Sequence, residues 1–139
     1  MFYQRRKVSA ENLRNISNTV CYSSVATASD LEAPVIVAPS VSGFTTRMLS
    51  KWRPKALIAG LSPSMTAVRQ MQLYWGVKPF HAKRAESTDA LLFASVELLK
   101  EKGIVKEGEI VVATAGVVTR ANRHEPVADT NIMRVMVVE

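Results

Sequence analysis

The chain has 139 residues, 47% of them apolar, and carries 18 Lys and Arg against 12 Asp and Glu, a formal net charge of +6. The length suits one domain, and apolar residues spread along the whole chain supply a core, which argues against disorder. No run approaches ~18 consecutive apolar residues, and the basic start from Met1 to Lys7 lacks an apolar stretch, so neither a membrane span nor a signal peptide is expected. The excess charge favours anionic partners such as phosphorylated metabolites, nucleic acid or acidic protein surfaces, and equally serves plain solubility. Arg5, Arg6 and Lys7 place part of it at the terminus.

The first eight residues read as a tail or linker, and residues 9–139 as one domain. From Ser9 to Leu31, Leu13, Ile16, Val20, Cys21, Ser24, Val25 and Ala28 recur at helical spacing. Ser9 can cap this helix, with Glu11 favoured in its first turn. Cys21 falls among small and apolar residues and reads as a buried structural thiol. With no second cysteine, an internal disulfide is excluded, which suits a reducing cytoplasm. Ala33 to Ala38 is a short β-branched apolar run, the mark of a buried strand. Pro39 to Phe44 is a loop, and Thr45 to Trp52 a helix stopped before Pro54. Ala56 to Gly60 is a second buried strand. Ser62 and Pro63 read as N-cap and first helical position of a helix reaching about Tyr74 and closed by Gly76. Val77 to His81 is a third strand. Ser87 caps a helix through Lys102, with Asp89 in its first turn, Lys100 and Lys102 in its last, and Gly103 behind it. Glu109 to Ala115 is a fourth strand, Gly116 to Asp129 a long loop, and Ile132 to Val138 a last strand. There is no internal repeat.

Strands alternating with helices predict a parallel, doubly wound sheet with helices on both faces. The last two strands have no helix between them, so they are expected to pair antiparallel and leave the final strand at an edge.

Two segments carry chemistry. Ser40, Val41, Ser42, Gly43, Phe44 and Thr45 lie between a buried strand and a helix start, where open α/β sheets bind ligands. Helix N-terminal amides attract anions, Gly43 lets the backbone curl, and Ser40, Ser42, Thr45 and Thr46 add hydroxyl donors. This suits a phosphate group. It also suits a capped turn with no ligand, and the local pattern leaves both open. The second segment is the loop from Gly116 to Asp129, with Arg120, Arg123 and His124 near its middle. Long loops in compact domains are often functional, and this one leaves a strand's carboxyl end, but a flexible solvated loop fits as well.

Other chemistries lack support. No Walker or Rossmann glycine pattern occurs. Two histidines and one cysteine give no metal-ligand cluster, and no Ser-His-Asp set stands out. Glu86, Asp89, Glu97 and Glu101 read as helix-face charges. Trp52, Trp75, Tyr74 and Phe93 fall at apolar positions of helices or at their ends and read as packing rather than a base-stacking platform.

The sequence resembles the C-terminal α/β domain of pyruvate kinase from about Ser9 to its end. The match is carried by Pro34-Val35-Ile36-Val37-Ala38-Pro39-Ser40-Val41-Ser42-Gly43-Phe44-Thr45-Thr46-Arg47, Ser50-Lys51-Trp52-Arg53-Pro54-Lys55, Leu73-Tyr74-Trp75-Gly76-Val77-Lys78-Pro79 and Asp129-Thr130-Asn131-Ile132-Met133-Arg134-Val135. Lys106-Glu107-Gly108-Glu109-Ile110-Val111-Val112 fits the turn into the fourth strand. The resemblance implies a three-layer α-β-α sandwich around a five-stranded mixed sheet with its last strand antiparallel. It implies a cytoplasmic parent enzyme that moves phosphoryl from phosphoenolpyruvate to ADP with magnesium and usually potassium. Both metals belong to a TIM-barrel domain whose motifs are absent here, so this piece is expected to hold no metal or cofactor and to be catalytically inert. Its expected partners are that barrel, further copies of itself in a homotetramer, and a phosphorylated effector. Nucleic acid, argued from charge alone, ranks below these, and a free-standing small-phosphate-binding protein of the same fold is the alternative.

The resemblance further assigns an effector phosphate loop to Ser40, Val41, Ser42, Gly43 and Thr45, with Phe44 departing from the hydroxyl residue of some members. A second phosphate is held in those members by a tryptophan and an arginine, whose places here fall at Ser87 and Ala94. The glycine-rich effector loop is replaced by Thr119 to Pro126. One phosphate pocket is therefore expected to remain, favouring a sugar monophosphate or nucleoside monophosphate, unless Arg120 or Arg123 replaces the lost cation.

Overall fold

The computed structural model describes residues 10–116 and 132–139; the predicted tail, and Arg120, Arg123 and His124, lie outside the described residues. The chain runs α1 (Ala10–Asp30), β1 (Val35–Pro39), α2 (Phe44–Lys51), β2 (Leu57–Ser62), α3 (Met65–Met71), β3 (Val77–His81), α4 (Thr88–Glu101), β4 (Ile110–Ala115), β5 (Ile132–Val137). These are the predicted elements in the predicted order.

The five strands form one sheet in the order β3-β2-β1-β4-β5. β1 runs parallel to β2 and β4, and β2 parallel to β3. β5 pairs antiparallel with β4, Ile110 facing Val137 and Ala115 facing Ile132. The order follows from crossover handedness. Right-handed crossovers through α2 and α3 both step outward from β1, and so lie over one face. The crossover through α4 returns past β1 to β4 and must lie over the other.

The packing agrees. Ile36, Ala38, Ile58 and Val112 meet Cys21 and Ala28 of α1 and Leu49 of α2 on one face. Val35, Val37, Ala59, Leu61, Val111 and Ala113 meet Leu92, Val96 and Leu99 of α4 on the other. Each central strand is buried on both faces, as the continuous apolar runs predicted. The result is the three-layer sandwich, with β3 and β5 as its edges.

Local chemistry sets the joints. Gly60 lies where α2 and α3 press on the sheet: a Cβ there would sit 2.6 Å from Met71 Sδ and 2.9 Å from Thr46 Cγ2. Ser87 caps α4, its hydroxyl accepting from Ala90 N–H at 3.1 Å. Asp89 in the first turn of that helix meets Arg134 of β5 at 2.6 Å. The cap of α3 differs from expectation. Ser62 belongs to β2 and its hydroxyl donates to the Val41 carbonyl, so Ser64 caps the helix instead, accepting from Ala67 N–H at 3.3 Å. The helix also ends at Met71 rather than near Tyr74. The aromatic residues are less buried than packing predicts. Trp52, Trp75 and Phe93 are exposed; Trp52 meets Tyr22 edge-on at 5.0 Å, and Arg53 lies 5.2 Å over the Trp75 ring.

Candidate functional site

The strand order reverses at β1, whose neighbours β2 and β4 lead the chain away in opposite directions. Ligands of open α/β sheets bind in the crevice outside the carboxyl ends of the strands at such a point. A cavity of about 200 Å³ occupies this crevice. Pro39 at the end of β1 with Ser40 beyond it, Leu61 and Ser62 of β2, and Ala115 and Gly116 at the end of β4 line it. At about 30 Å³ per water it has room for roughly seven, the scale of a small organic phosphate.

The turn from β1 into α2 is held by its own hydroxyls. Ser40 Oγ accepts from Gly43 N–H at 2.9 Å, and Ser42 Oγ accepts from Phe44 N–H at 3.3 Å. Thr46 Oγ1 donates to the Gly43 carbonyl at 2.7 Å, closing the first turn of the helix. Gly43 is the N-cap, left-handed at φ 84°, and a Cβ on it would approach Met71 Cγ to 3.3 Å. Glycine is favoured there by both conformation and space. A serine hydroxyl that accepts one N–H keeps its proton to donate, so the turn can offer hydroxyl donors to an anion.

Neighbouring strand ends are stitched to this turn. Ser40 N–H donates to the Leu61 carbonyl at 2.8 Å, Ser62 Oγ donates to the Val41 carbonyl at 3.2 Å, and Ala82 N–H donates to the Ser62 carbonyl at 2.9 Å.

Of the loop residues predicted as a site, Ser40, Val41 and Thr45 line the cavity. Ser42 is exposed, Gly43 is buried and Phe44 is half-buried; these three stand in the same turn but outside the cavity wall. Ser87 serves as the α4 cap, and Ala94 lines an adjoining hollow with Ser95 and Leu98 rather than this cavity. The cavity also contains two cations that the sequence reading missed, Lys83 and Arg84, just beyond β3. Their signal was available, because the rule that singled out the segments after β1 and β4 applies equally to the segment after β3. Among the described residues, no group of three or more His, Cys, Asp or Glu could hold a metal ion, and no helix is long and apolar enough to cross a membrane.

Comparisons with known proteins agree on one family. The family model for the pyruvate kinase alpha/beta domain matches residues 18–136. Pyruvate kinase of Clostridium acetobutylicum is 36% identical over 126 residues, covering 91% of this chain and 26% of that protein. Pyruvate kinase of Geobacillus stearothermophilus is 36% identical over 131 residues, covering 92% of this chain and 21% of its own length. The solved structure of a pyruvate kinase from Cryptosporidium parvum superposes with a TM-score of 0.76 over 97% of this chain and 24% of that one, and at 21% identity it shares the fold. The chain thus spans about a fifth to a quarter of the length of the relatives it matches. With its sheet order, its two helical layers and these matches, the chain belongs to the pyruvate kinase alpha/beta domain family.

Proposed function

We propose that this chain is the effector-binding and subunit-joining domain of a cytoplasmic pyruvate kinase, inert in catalysis by itself. The parent enzyme moves phosphoryl from phosphoenolpyruvate to ADP, and its magnesium and potassium belong to the catalytic barrel against which this domain docks. The observation that carries the effector role is the cavity at the strand-order reversal, walled by the hydroxyl-rich turn Ser40–Thr45. A phosphate there meets hydroxyl donors at the start of α2, whose N-terminal end favours negative charge. The second phosphate position of other family members is filled by the capping Ser87 and by Ala94, so a sugar monophosphate or nucleoside monophosphate fits better than a bisphosphate. A concave site of this size suits a small molecule better than a nucleic acid.

The subunit-joining role is supported by β5. Its outer edge has no neighbour in the sheet, and Met133, Val135 and Val137 along one face are 38%, 46% and 60% exposed. An unpaired apolar edge invites a second strand.

A thermal-shift titration with glucose 6-phosphate, ribose 5-phosphate, AMP and fructose 1,6-bisphosphate tests the effector reading. Ligand at about 100 times its dissociation constant adds about 2.7 kcal/mol of stability. A monophosphate shift that disappears in Ser40→Ala and Thr45→Ala is expected. No shift with any of the four would refute the effector role of this chain.

A further inference from the structure

We propose that Lys83 and Arg84 are the cationic half of this site and neutralise the same phosphate that the turn at Ser40 and Thr45 hydrogen-bonds. The inference rests on the phosphate reading above and goes beyond it in assigning the charge. The hydroxyl turn brings donors but no cation to the cavity wall. Neutral donors alone leave the charge of a phosphate dianion uncompensated as it leaves water. Charge-assisted hydrogen bonds are about twice as strong, and arginine adds a planar fork to lysine's point charge.

The structure places that charge opposite the turn. Lys83 and Arg84 line the same cavity as Ser40 and Thr45. Both are exposed, and among the described residues neither takes part in an ion pair. Their segment is anchored at both ends. Before it, Ala82 N–H is bonded to Ser62, and His81 Nε2 lies 3.1 Å from the Pro63 carbonyl oxygen. After it, Ser87 caps α4. The hydroxyl turn leaves β1 and the cations leave β3, with β2 between them, so the two backbones stand roughly 10 Å apart, two strand spacings. Across that gap, lysine and arginine side chains are long enough to meet, from their side, a phosphate group held by the hydroxyls. The floor at Leu61, Leu91 and Ala115 is apolar and takes the ligand's carbon skeleton. The ligand class is a compact phosphate monoester, pinned between a hydroxyl wall and a cationic wall.

Calorimetric titration of the full chain with inorganic phosphate and with glucose 6-phosphate, at about 50 and about 200 mM salt, tests this. The double variant Lys83→Gln/Arg84→Gln is expected to bind both ligands at least about tenfold more weakly and to show a flatter salt dependence. The swap Lys83→Arg/Arg84→Lys keeps most of the affinity. Ser40→Ala weakens both ligands while keeping the wild-type salt slope. Wild-type affinity and salt slope in the Gln pair, with Ser40→Ala impaired, would overturn the inference and leave the effector reading standing. Weaker glucose 6-phosphate binding with inorganic phosphate unchanged would also overturn it, since the cations would then act on the body of the ligand. A wild-type chain that binds neither ligand removes the effector reading, and this inference with it.

Discussion

Replacing Gly43 by alanine probes the turn that builds the site, and Gly76 supplies its control. Both glycines are left-handed, at φ 84° and φ 70°. A Cβ at Gly76 meets nothing within 4 Å, whereas at Gly43 it meets Met71 Cγ at 3.3 Å. An alanine in the left-handed region costs about 1–2 kcal/mol, and the stiffer unfolded chain returns about 0.4–1 kcal/mol. Gly76→Ala should therefore lose about 0.7 kcal/mol. Gly43→Ala carries the same strain and must also push Met71, which itself fills the space above Gly60. Crowding in a packed core adds about 1 kcal/mol, for a total near 1.7 kcal/mol. At about 4 °C per kcal/mol for a domain of this size, the melting temperature falls by about 3 °C in Gly76→Ala and about 7 °C in Gly43→Ala. Urea denaturation followed by circular dichroism, with an unchanged slope, gives the difference directly. A Gly43→Ala chain no less stable than Gly76→Ala would refute the claim that α3 closes down on this turn.

Four further outcomes follow from the packing. Leu92 is fully buried under β1, β2 and β4, so Leu92→Ala should cost about 2–5 kcal/mol in urea unfolding. Ser87→Ala removes the α4 cap and should cost about 1 kcal/mol, with hydrogen exchange rising first in the helix's opening turn. The Asp89–Arg134 pair is 75% and 42% exposed, so Arg134→Ala should cost less than about 1 kcal/mol, and less still in high salt. Val135→Lys charges the exposed face of the edge strand and should reduce self-association in light scattering while leaving the monomer's unfolding nearly unchanged.

The elements were legible because the apolar pattern changes period cleanly between helix and strand, and because β1, β2 and β4 are short continuous runs that only a doubly covered sheet can bury. The antiparallel last strand was legible because no helical apolar pattern separates it in sequence from the strand before. The distribution of helices, three over one face and α4 alone over the other, depends on the direction of each crossover, which composition does not carry. The α3 cap was misplaced because two serines flank Pro63. Only the pairing of Ser62 with His81 across β2 and β3 decides that Ser62 stays in the strand. The exposure of Trp52, Trp75 and Phe93 escaped because an aromatic residue on a helix or just beyond one reads the same in sequence with or without a neighbour to cover it. The hydroxyl turn was legible as a strand-to-helix junction, but Lys83 and Arg84 join it only through the lateral order of β1, β2 and β3.

The most direct test of the account is an amide-resolved NMR titration of the chain with glucose 6-phosphate. The account predicts that shifts cluster at the carboxyl ends of the strands: Ser40 to Thr45, Ala82 to Arg84, and Ala115 with Gly116. Shifts centred instead on the hollow at the opposite pole, around Ala33, Trp52, Arg53 and Lys55, or no shifts at saturating ligand, would contradict it.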